Sequence, residues 1–435
     1  MADALKLPPG PPRPHLAQTV GWLTRPGPYS RRMRDRYGDV FTLHVDRLTP
    51  WVLVSHPDHI KQVFTGDPDV LHAGEGNVIL KPLLGPRSVL LLDGDEHLRQ
   101  RKLMLPPFHG ERMQAYGDMV REVAAAEIAT WPVGQPLPTR LRTQELTLEI
   151  VMRAIFGSRD ERLRAALQTM LEFAGRPSAL ALGILAGERT NRAVFDHVRA
   201  PVDALLADLI TARRDDPHLD EHDDILSLLM AGTDMDDATL HDELLTLLVA
   251  GHETTATALA WALERLARHP DAWERLREDD DDYLDAVCKE TLRLRPVLPA
   301  VIRKLTAPFT VGGHTLPAGV AVVPSIHLVH TREDVYPEPL AFRPERFLEQ
   351  PAGTYTWIPF GGGVRRCLGA SFALFEMKWV LRAIADAVVE LVPAAPVSEG
   401  TKHRSITLAP QDDGRVIVAR RAAPVRRVRP VPSGR

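Results

Sequence analysis

The sequence predicts a mainly α-helical protein with a smaller β region. Helical patterns dominate from about residue 95 to 290, whereas short apolar runs interrupted by proline and glycine lie before and after that stretch. Neither an internal repeat nor a long Gly/Ser linker divides the chain. We therefore expect one large domain over residues 8–420, followed by a basic, proline-rich tail over residues 421–435 that we expect to be disordered.

The composition is that of an ordinary globular protein. The chain has 435 residues, of which 44% are hydrophobic and 25% are charged. Its 53 Lys and Arg against 57 Asp and Glu give a net charge of −4, which is too close to neutral for nucleic-acid binding through bulk charge. No uncharged apolar run reaches about 18 residues, so we expect no membrane span, and the N-terminus has no apolar run of the length found in signal peptides.

The two cysteines, Cys288 and Cys367, limit the chemistry that thiols can perform here. They form one disulfide at most, which fits a reducing compartment, and we expect a cytoplasmic protein. Two thiols cannot build a four-cysteine zinc or iron–sulfur site. Because Cys288 lies in an apolar helical pattern with Leu284 and Val287, we expect it in the core.

The β region is predicted from short alternating or apolar runs. Residues 40–45 and 51–54 read as a hairpin, and further runs at residues 309–311 and 320–323 predict strands after the helical stretch. Residues 8–14 are rich in proline and predict a stiff, extended entry to the domain.

The strongest helical pattern covers residues 236–269, with leucines at i, i+3 and i+4 spacing. Asp234 or Asp236 can cap its first turn, and Pro270 ends it. Its centre, residues 250–255, breaks the rules of a stable helix, because the sequence there is Ala-Gly-His-Glu-Thr-Thr.

A glycine inside a helix costs about 1 kcal/mol relative to alanine, and threonine can bond back to a carbonyl one turn earlier. Two interpretations stay open on the pattern alone. One is a buried helix that tolerates Gly251 and its threonines. The other is a groove where a small ligand lies beside the Glu253 carboxylate and the Thr254 hydroxyl.

A carboxylate and a guanidinium share one helix face at Glu290 and Arg293. The same spacing occurs three more times in the chain, so spacing alone says little. Here, however, Leu-Arg-Pro follows and ends the helix, and Arg346 lies further on between two phenylalanines. A buried glutamate shared by two arginines would serve to lock local geometry.

The most specific segment is residues 357–370, which read Trp-Ile-Pro-Phe-Gly-Gly-Gly-Val-Arg-Arg-Cys-Leu-Gly-Ala. A predicted helix follows from residue 371 to about 389, so Cys367 lies at a helix N-terminus, where the dipole favours a thiolate. The glycines are no phosphate loop, because Gly-Lys-Ser/Thr is missing, and no dinucleotide fingerprint. A nucleophilic cysteine with a distant base, or a structural cysteine, remains open from the residues alone.

Together these motifs resemble the cytochrome P450 superfamily. Phe360, Gly363, Arg365, Cys367 and Gly369 match its haem-binding signature. The Ala-Gly-x-x-Thr-Thr, Glu-x-x-Arg and Phe-x-Pro-x-Arg-Phe motifs occur in the family order, and the resemblance extends over residues 8–420. It implies the P450 fold, with haem b between the long central helix and the helix after the cysteine loop.

The resemblance also assigns roles to individual residues. Cys367 would be the thiolate ligand of the haem iron. Glu253 and Thr254 would form the acid–alcohol pair that delivers protons during oxygen activation. The cofactor-binding set would comprise Phe360 in the loop and four partners of the haem propionates, His97, Arg101, Arg303 and Arg365. Glu290, Arg293 and Arg346 would form a buried structural triad.

The implied activity is a monooxygenase reaction with O2. Because the P450 domain leaves no segment for a reductase, we expect electrons from a separate ferredoxin and ferredoxin reductase. These would dock on a basic face that includes Arg99, Lys102, Arg366 and Lys378.

The segments expected to line the pocket are apolar, which favours a terpenoid, fatty acyl or polyketide substrate of secondary metabolism; they are residues 72–92, 247–255, 299–302 and 405–408. The rival interpretations are a haem-thiolate isomerase or peroxygenase and a haem-based sensor without turnover.

Overall fold

The computed structural model describes residues 6–45, 49–108, 111–176, 188–278 and 280–422. Most of them are helical, and the strands form small sheets. The predicted class, mainly α with a smaller β region, is confirmed. The last strand ends at Arg421, and residues 423–435, which hold nearly all of the predicted tail, lie outside the described residues.

The helices before the central one are α1 to α11, with the bounds His15–Thr24, Pro26–Tyr37, Pro57–Phe64, Ala73–Gly76, Lys81–Leu84, Gly94–Met104, Glu111–Ala129, Thr139–Phe156, Glu161–Ala174, Glu188–Arg214 and Ile225–Gly232. The central helix and those after it are α12 to α17, with the bounds Asp237–Ala267, Pro270–Leu276, Asp281–Leu294, Ile326–His330, Arg346–Glu349 and Ala370–Ala387. Every helix among the described residues is too short or too polar to span a membrane.

The strands form two sheets and two separate hairpins. Strands β1 to β6 are Val40–Leu43, Trp51–Val54, Leu71–His72, Pro136–Pro138, Arg303–Leu305 and Phe309–Val311. Strands β7 to β12 are His314–Leu316, Ala321–Pro324, Val388–Pro393, Thr401–Arg404, Thr407–Pro410 and Arg415–Arg421. One sheet has the order β1-β2-β8-β5-β3, the other has the order β4-β12-β9, and β6-β7 and β10-β11 are hairpins.

The predicted strands agree closely with the observed ones. Val40 pairs with Val54 in an antiparallel register, which confirms the hairpin expected at residues 40–54. The run expected at residues 320–323 is β8, shifted by one residue, and it pairs in parallel with β2.

Helix α12 crosses the centre of the helical layer. The Asp236 side chain caps it by accepting from the backbone N–H of Thr239 at 2.8 Å, and Pro270 starts the next helix, so its bounds lie within two residues of the prediction. Its second half is nearly all buried, with Trp261 completely inaccessible. This helix therefore forms a fixed support for the groups near its centre.

The acidic and basic residues of the predicted triad meet in the interior. Both Glu290 oxygens accept from Arg293, at 2.7 and 2.8 Å, and the Arg346 Nε lies 3.2 Å from Glu290 Oε1. Arg293 also donates to the His330 carbonyl at 2.8 Å. The second guanidinium and these carbonyls satisfy the buried charges, so the cluster fixes how α14 packs on the segment before α16.

Helix α17 begins three residues after Cys367 and ends at Ala387, two residues earlier than expected. It ends there because Val388 and Val389 continue as strand β9, where β-branched residues are favoured. Cys288 is fully buried on α14, as expected.

Candidate active site

The cysteine loop is held from both ends. The Cys367 N–H donates to the Phe360 carbonyl at 2.9 Å, which closes the loop on itself. The Phe360 ring packs edge-on against Trp357 with centroids 5.9 Å apart, and the Trp357 indole N–H donates to the Lys289 carbonyl of α14 at 3.1 Å. Loop and helix α14 therefore keep the cysteine in one position.

The glycines of this loop are needed for its contact with α3. Gly361 and Gly363 both have φ of +65°, which favours glycine. A Cβ added at Gly363 would collide with the carbonyl oxygen of Phe64, the last residue of α3. The tight turn and the contact with α3 therefore account for these glycines.

The Cys367 thiol is exposed, and yet burial in the surrounding protein is the largest influence on its pKa, which it raises. The Gly369 N–H, Arg101 and Arg366 act in the opposite direction. The side chain is therefore accessible to a ligand and is at the same time surrounded by protein atoms that desolvate it. The Gly369 N–H group at this helix terminus does favour the thiolate, but desolvation outweighs it together with the two cations.

Three arginines and a histidine lie near one another, and one of them, Arg101, is also close enough to Cys367 to affect its pKa. Burial first, then Arg365, Arg101 and Arg303, lower the pKa of His97 to about 3. Burial and Arg365 lower the pKa of Arg303 to about 10, and burial lowers the pKa of Arg365 to about 10, opposed by Asp93. The cations repel one another, so the cluster favours a ligand that brings negative charge.

Asp93 is a member of this cluster that the sequence analysis missed. Its carboxylate pairs with Arg365 and accepts from the backbone N–H groups of Gly74 and Glu75 at 2.8 and 2.9 Å. Arg365 also donates to the Val89 carbonyl at 3.3 Å. In the sequence, Asp93 stands directly before α6. This position is typical of a capping residue and does not indicate an arginine partner.

The donor set fits haem. An accessible thiol can ligate iron, and a mutually repelling group of arginines fits a ligand with two carboxylates, as haem propionates are. The four predicted partners of the propionates act on one another electrostatically and therefore lie close together; they are His97, Arg101, Arg303 and Arg365. Burial lowers the pKa of Arg101, while the nearby Cys367 thiolate form acts to raise it.

Glu253 and Thr254 are adjacent at the centre of α12, but each has another partner. The Thr254 hydroxyl donates to the Ala250 carbonyl at 2.6 Å, which is the back-bonding that the sequence predicts. The Glu253 Oε1 lies 3.1 Å from the Arg404 Nε, and its Oε2 accepts from the Gln144 side chain. The acid is thus an ion-paired carboxylate.

Arg404 and Gln144 are residues that sequence reasoning could not find. Arg404 is 151 positions away from Glu253 in the chain and Gln144 is 109 positions away. Neither belongs to a motif, and only the packing of β10 and α8 on α12 brings them to the carboxylate.

Three of the four predicted pocket segments come together. A Cβ added at Gly76 would lie 2.8 Å from the Ile302 side chain, so the segments 72–92 and 299–302 touch. The Leu408 N–H donates to the Val297 carbonyl at 2.7 Å, which places the segment 405–408 beside them. The predicted basic face is only partly free, because Arg99, Lys102 and Arg366 are exposed whereas Lys378 pairs with Asp285 at 3.3 Å.

Comparison with known proteins agrees with this geometry. The family model "Cytochrome P450" matches residues 8–385. The chain is 42% identical to cytochrome P450 135B1 of Mycobacterium tuberculosis, over 96% of this chain and 92% of that protein. It is 38% identical to cytochrome P450 135A1 of the same species, over 93% of each.

Solved structures show the same fold. The cyanobacterial CYP120A1 with bound retinoic acid matches with a TM-score of 0.84 and 24% identity, covering 96% of this chain and 100% of that one. CYP175A1 from Thermus thermophilus matches with a TM-score of 0.71 and 26% identity, covering 94% and 95%. Cytochromes P450 are haem monooxygenases that ligate the iron through a cysteine and use O2, redox partners and an apolar substrate. The family model covers most of the chain, two mycobacterial relatives are 42% and 38% identical to it, and the cysteine loop lies beside a basic cluster. This chain therefore belongs to the cytochrome P450 family.

Proposed function

We propose that this protein inserts one oxygen atom from O2 into an apolar small molecule, by hydroxylation or epoxidation, with haem b as its cofactor. The observation that carries the proposal is the accessible Cys367 thiol close to Arg101, which belongs to one cluster with His97, Arg303 and Arg365. Bound haem would supply the activation of O2 and the transfer of oxygen.

The protein's own residues hold the cofactor and set its surroundings. Cys367 would ligate the iron, and the propionates would accept charge-assisted hydrogen bonds from Arg101, Arg303 and Arg365. The neutral His97 ring, whose pKa is about 3, would donate an N–H group without adding a further charge. Phe360 would keep the loop closed behind the cysteine through its carbonyl.

Glu253 and Thr254 would carry protons towards the site of oxygen activation. A carboxylate can take up and release protons through water molecules, and a hydroxyl can both donate and accept a hydrogen bond. In this arrangement Thr254 would hold a proton at its Oγ1, and Glu253 would replenish it through water.

Electrons would come from a ferredoxin and its reductase, which would approach the exposed cations Arg99, Lys102 and Arg366. The apolar segments around residues 299–302 and 405–408 support a terpenoid, fatty acyl or polyketide substrate. A single haem domain over residues 8–420, a cytoplasmic location and a role in secondary metabolism remain predictions.

The proposal is tested with purified protein, a plant-type ferredoxin and an NADPH-dependent reductase. Apolar compounds that shift the haem spectrum are incubated under ¹⁸O2, and the products are analysed by mass spectrometry. We expect NADPH consumption and one ¹⁸O atom in the product. An isomeric product without ¹⁸O would identify an isomerase, product formed only with added peroxide would identify a peroxygenase, and spectral shifts without NADPH consumption would identify a sensor.

A further inference from the structure

The Glu253 carboxylate is engaged on both of its oxygens. Oε1 accepts from the Arg404 Nε at 3.1 Å, and Oε2 accepts from the Gln144 amide. The neighbouring Thr254 hydroxyl donates to the Ala250 carbonyl at 2.6 Å. Acid and alcohol therefore each have other partners, and the direction of the carboxylate depends on Arg404 and Gln144.

The amide of Gln144 is itself held in one orientation. Its Oε1 accepts from the Arg140 Nη1 at 2.7 Å, which leaves its NH2 group to donate to Glu253. The Arg140 Nε in turn donates to Asp413 at 2.7 Å, and its Nη1 lies 4.0 Å from Glu253 Oε1. On this side, the direction of the carboxylate is set by hydrogen bonds that connect α8 with the turn before β12.

Arg404 holds the carboxylate from the opposite side and belongs to a different element. It is the last residue of β10, and its carbonyl accepts from the Thr407 hydroxyl at 2.8 Å across the hairpin turn. Ser405 in that turn has φ of +52°. The hairpin is anchored to α12 where the Trp261 indole N–H donates to the Leu408 carbonyl at 3.0 Å.

The Arg404 guanidinium also rests against the end of α9. Gly175 follows the last residue of α9, and a Cβ added there would lie 2.5 Å from Arg404 Nη2 and 2.9 Å from Cζ. The absence of a side chain at Gly175 thus makes room for the guanidinium. Arg404 connects the hairpin turn, the end of α9 and the acid of α12.

We propose that Arg404 is a positioning residue for Glu253. Through Arg404, the direction of the Glu253 carboxylate depends on the β10–β11 hairpin and on the end of α9. The proposal rests on the proton-carrying role given to Glu253 under the proposed function. Both side chains are largely buried, at 17% and 15% exposure. Loss of the guanidinium therefore leaves a poorly solvated carboxylate with the neutral Gln144 and the distant Arg140, and its direction is no longer set.

The first experiment measures the contact without turnover. Thermal unfolding of the haem-loaded protein is compared for Arg404→Gln, Glu253→Gln and the double variant. We expect the double variant to lose less in Tm than the sum of the two single losses, because both single changes break the same pair. Additive losses would overturn the contact between the two residues.

The second experiment tests the positioning role by measuring how much of the NADPH consumed ends as hydrogen peroxide. With ferredoxin, reductase and NADPH but no substrate, hydrogen peroxide is measured against NADPH consumed. We expect Arg404→Gln to change this ratio several-fold, in the same direction as Glu253→Gln, and the double variant to match Glu253→Gln. Arg404→Lys, which keeps the charge, should stay close to the wild-type ratio.

Arg415→Gln is the matched control, because this arginine is exposed on β12 and its loss changes the net charge equally. An effect of Glu253→Gln without an effect of Arg404→Gln would overturn the positioning role of Arg404, while the proton-carrying role of Glu253 would stand. An equal effect of Arg415→Gln would also overturn it. No effect of Glu253→Gln would refute the proton-carrying role itself, and the positioning role with it.

Discussion

At the scale of single residues, the two cysteines differ in their surroundings. Burial raises the pKa of Cys288 to about 12, and this side chain is completely inaccessible. Burial also raises the pKa of Cys367, but here Gly369, Arg101 and Arg366 oppose it and the residue is exposed. Only Cys367 therefore combines access for a metal with groups that stabilise a thiolate, and a bound iron would complete its deprotonation.

A second test at this scale concerns Thr254. Thr254→Ala removes the only hydroxyl of this side chain, so we expect less product for each NADPH consumed, by on the order of tenfold, and more peroxide. Thr254→Ser keeps a hydroxyl and is the control. Product and peroxide are measured together in the reconstituted system. Equal coupling in wild type and Thr254→Ala would contradict the role of this residue.

At the scale of elements, the central helix shows what sequence can and cannot predict. The spacing of leucines such as Leu240 and Leu244, with Asp236 before them and Pro270 after them, determines α12 because these are local effects. The ion pair between Glu253 and Arg404 is not local. It depends on a hairpin that meets α12 only in the folded chain, so the spacing of residues along the sequence does not indicate it.

The cysteine loop is an intermediate case. Its residues predicted a thiol at the start of a helix, and α17 does begin shortly after Cys367. The balance between desolvation and the nearby cations could not be predicted, because it depends on how densely α6 and the loop surround the thiol. The same holds for Asp93, whose pairing with Arg365 arises from packing.

Helix α12 is also tied to α10 by a histidine. His241 lies 3.2 Å from Asp203 of α10 and 3.3 Å from Asp242, and these carboxylates raise its pKa to about 9 against the opposing effect of burial. Arg199 also pairs with Asp203, at 3.1 Å. A pKa raised above the unfolded value of 6.5 stabilises the fold fully below pH 6.5, and this stabilisation is lost as the pH rises towards 9.

We therefore expect His241→Gln to lower the free energy of unfolding by on the order of 2 kcal/mol at pH 6, and by much less above pH 9. Denaturant unfolding across this pH range measures the difference. His218→Gln, at a side chain that is 65% exposed, is the control. A cost of His241→Gln that does not change with pH would show that packing, rather than charge, accounts for it.

At the scale of the whole molecule, the helical layer and the β region together supply the residues of the proposed haem site. Helix α6 contributes His97 and Arg101, β5 contributes Arg303, and the loop before α17 contributes Arg365 and Cys367. Helix α12 would supply the proposed acid and alcohol, Glu253 and Thr254. The fold class was predictable from motifs, and the roles assigned to these residues stay predictions. Their mutual repulsion and the partners of Glu253 required the three-dimensional arrangement.

The central claim is that Cys367 ligates haem iron, and a spectrum of the reduced protein with carbon monoxide tests it most directly. Wild type and Cys288→Ser should both show the strongly red-shifted Soret band of a thiolate-ligated haem. Cys367→His should bind haem without this band, because an imidazole replaces the thiolate. A red-shifted band that persists in Cys367→His, or its absence from the haem-loaded wild type, would contradict the account.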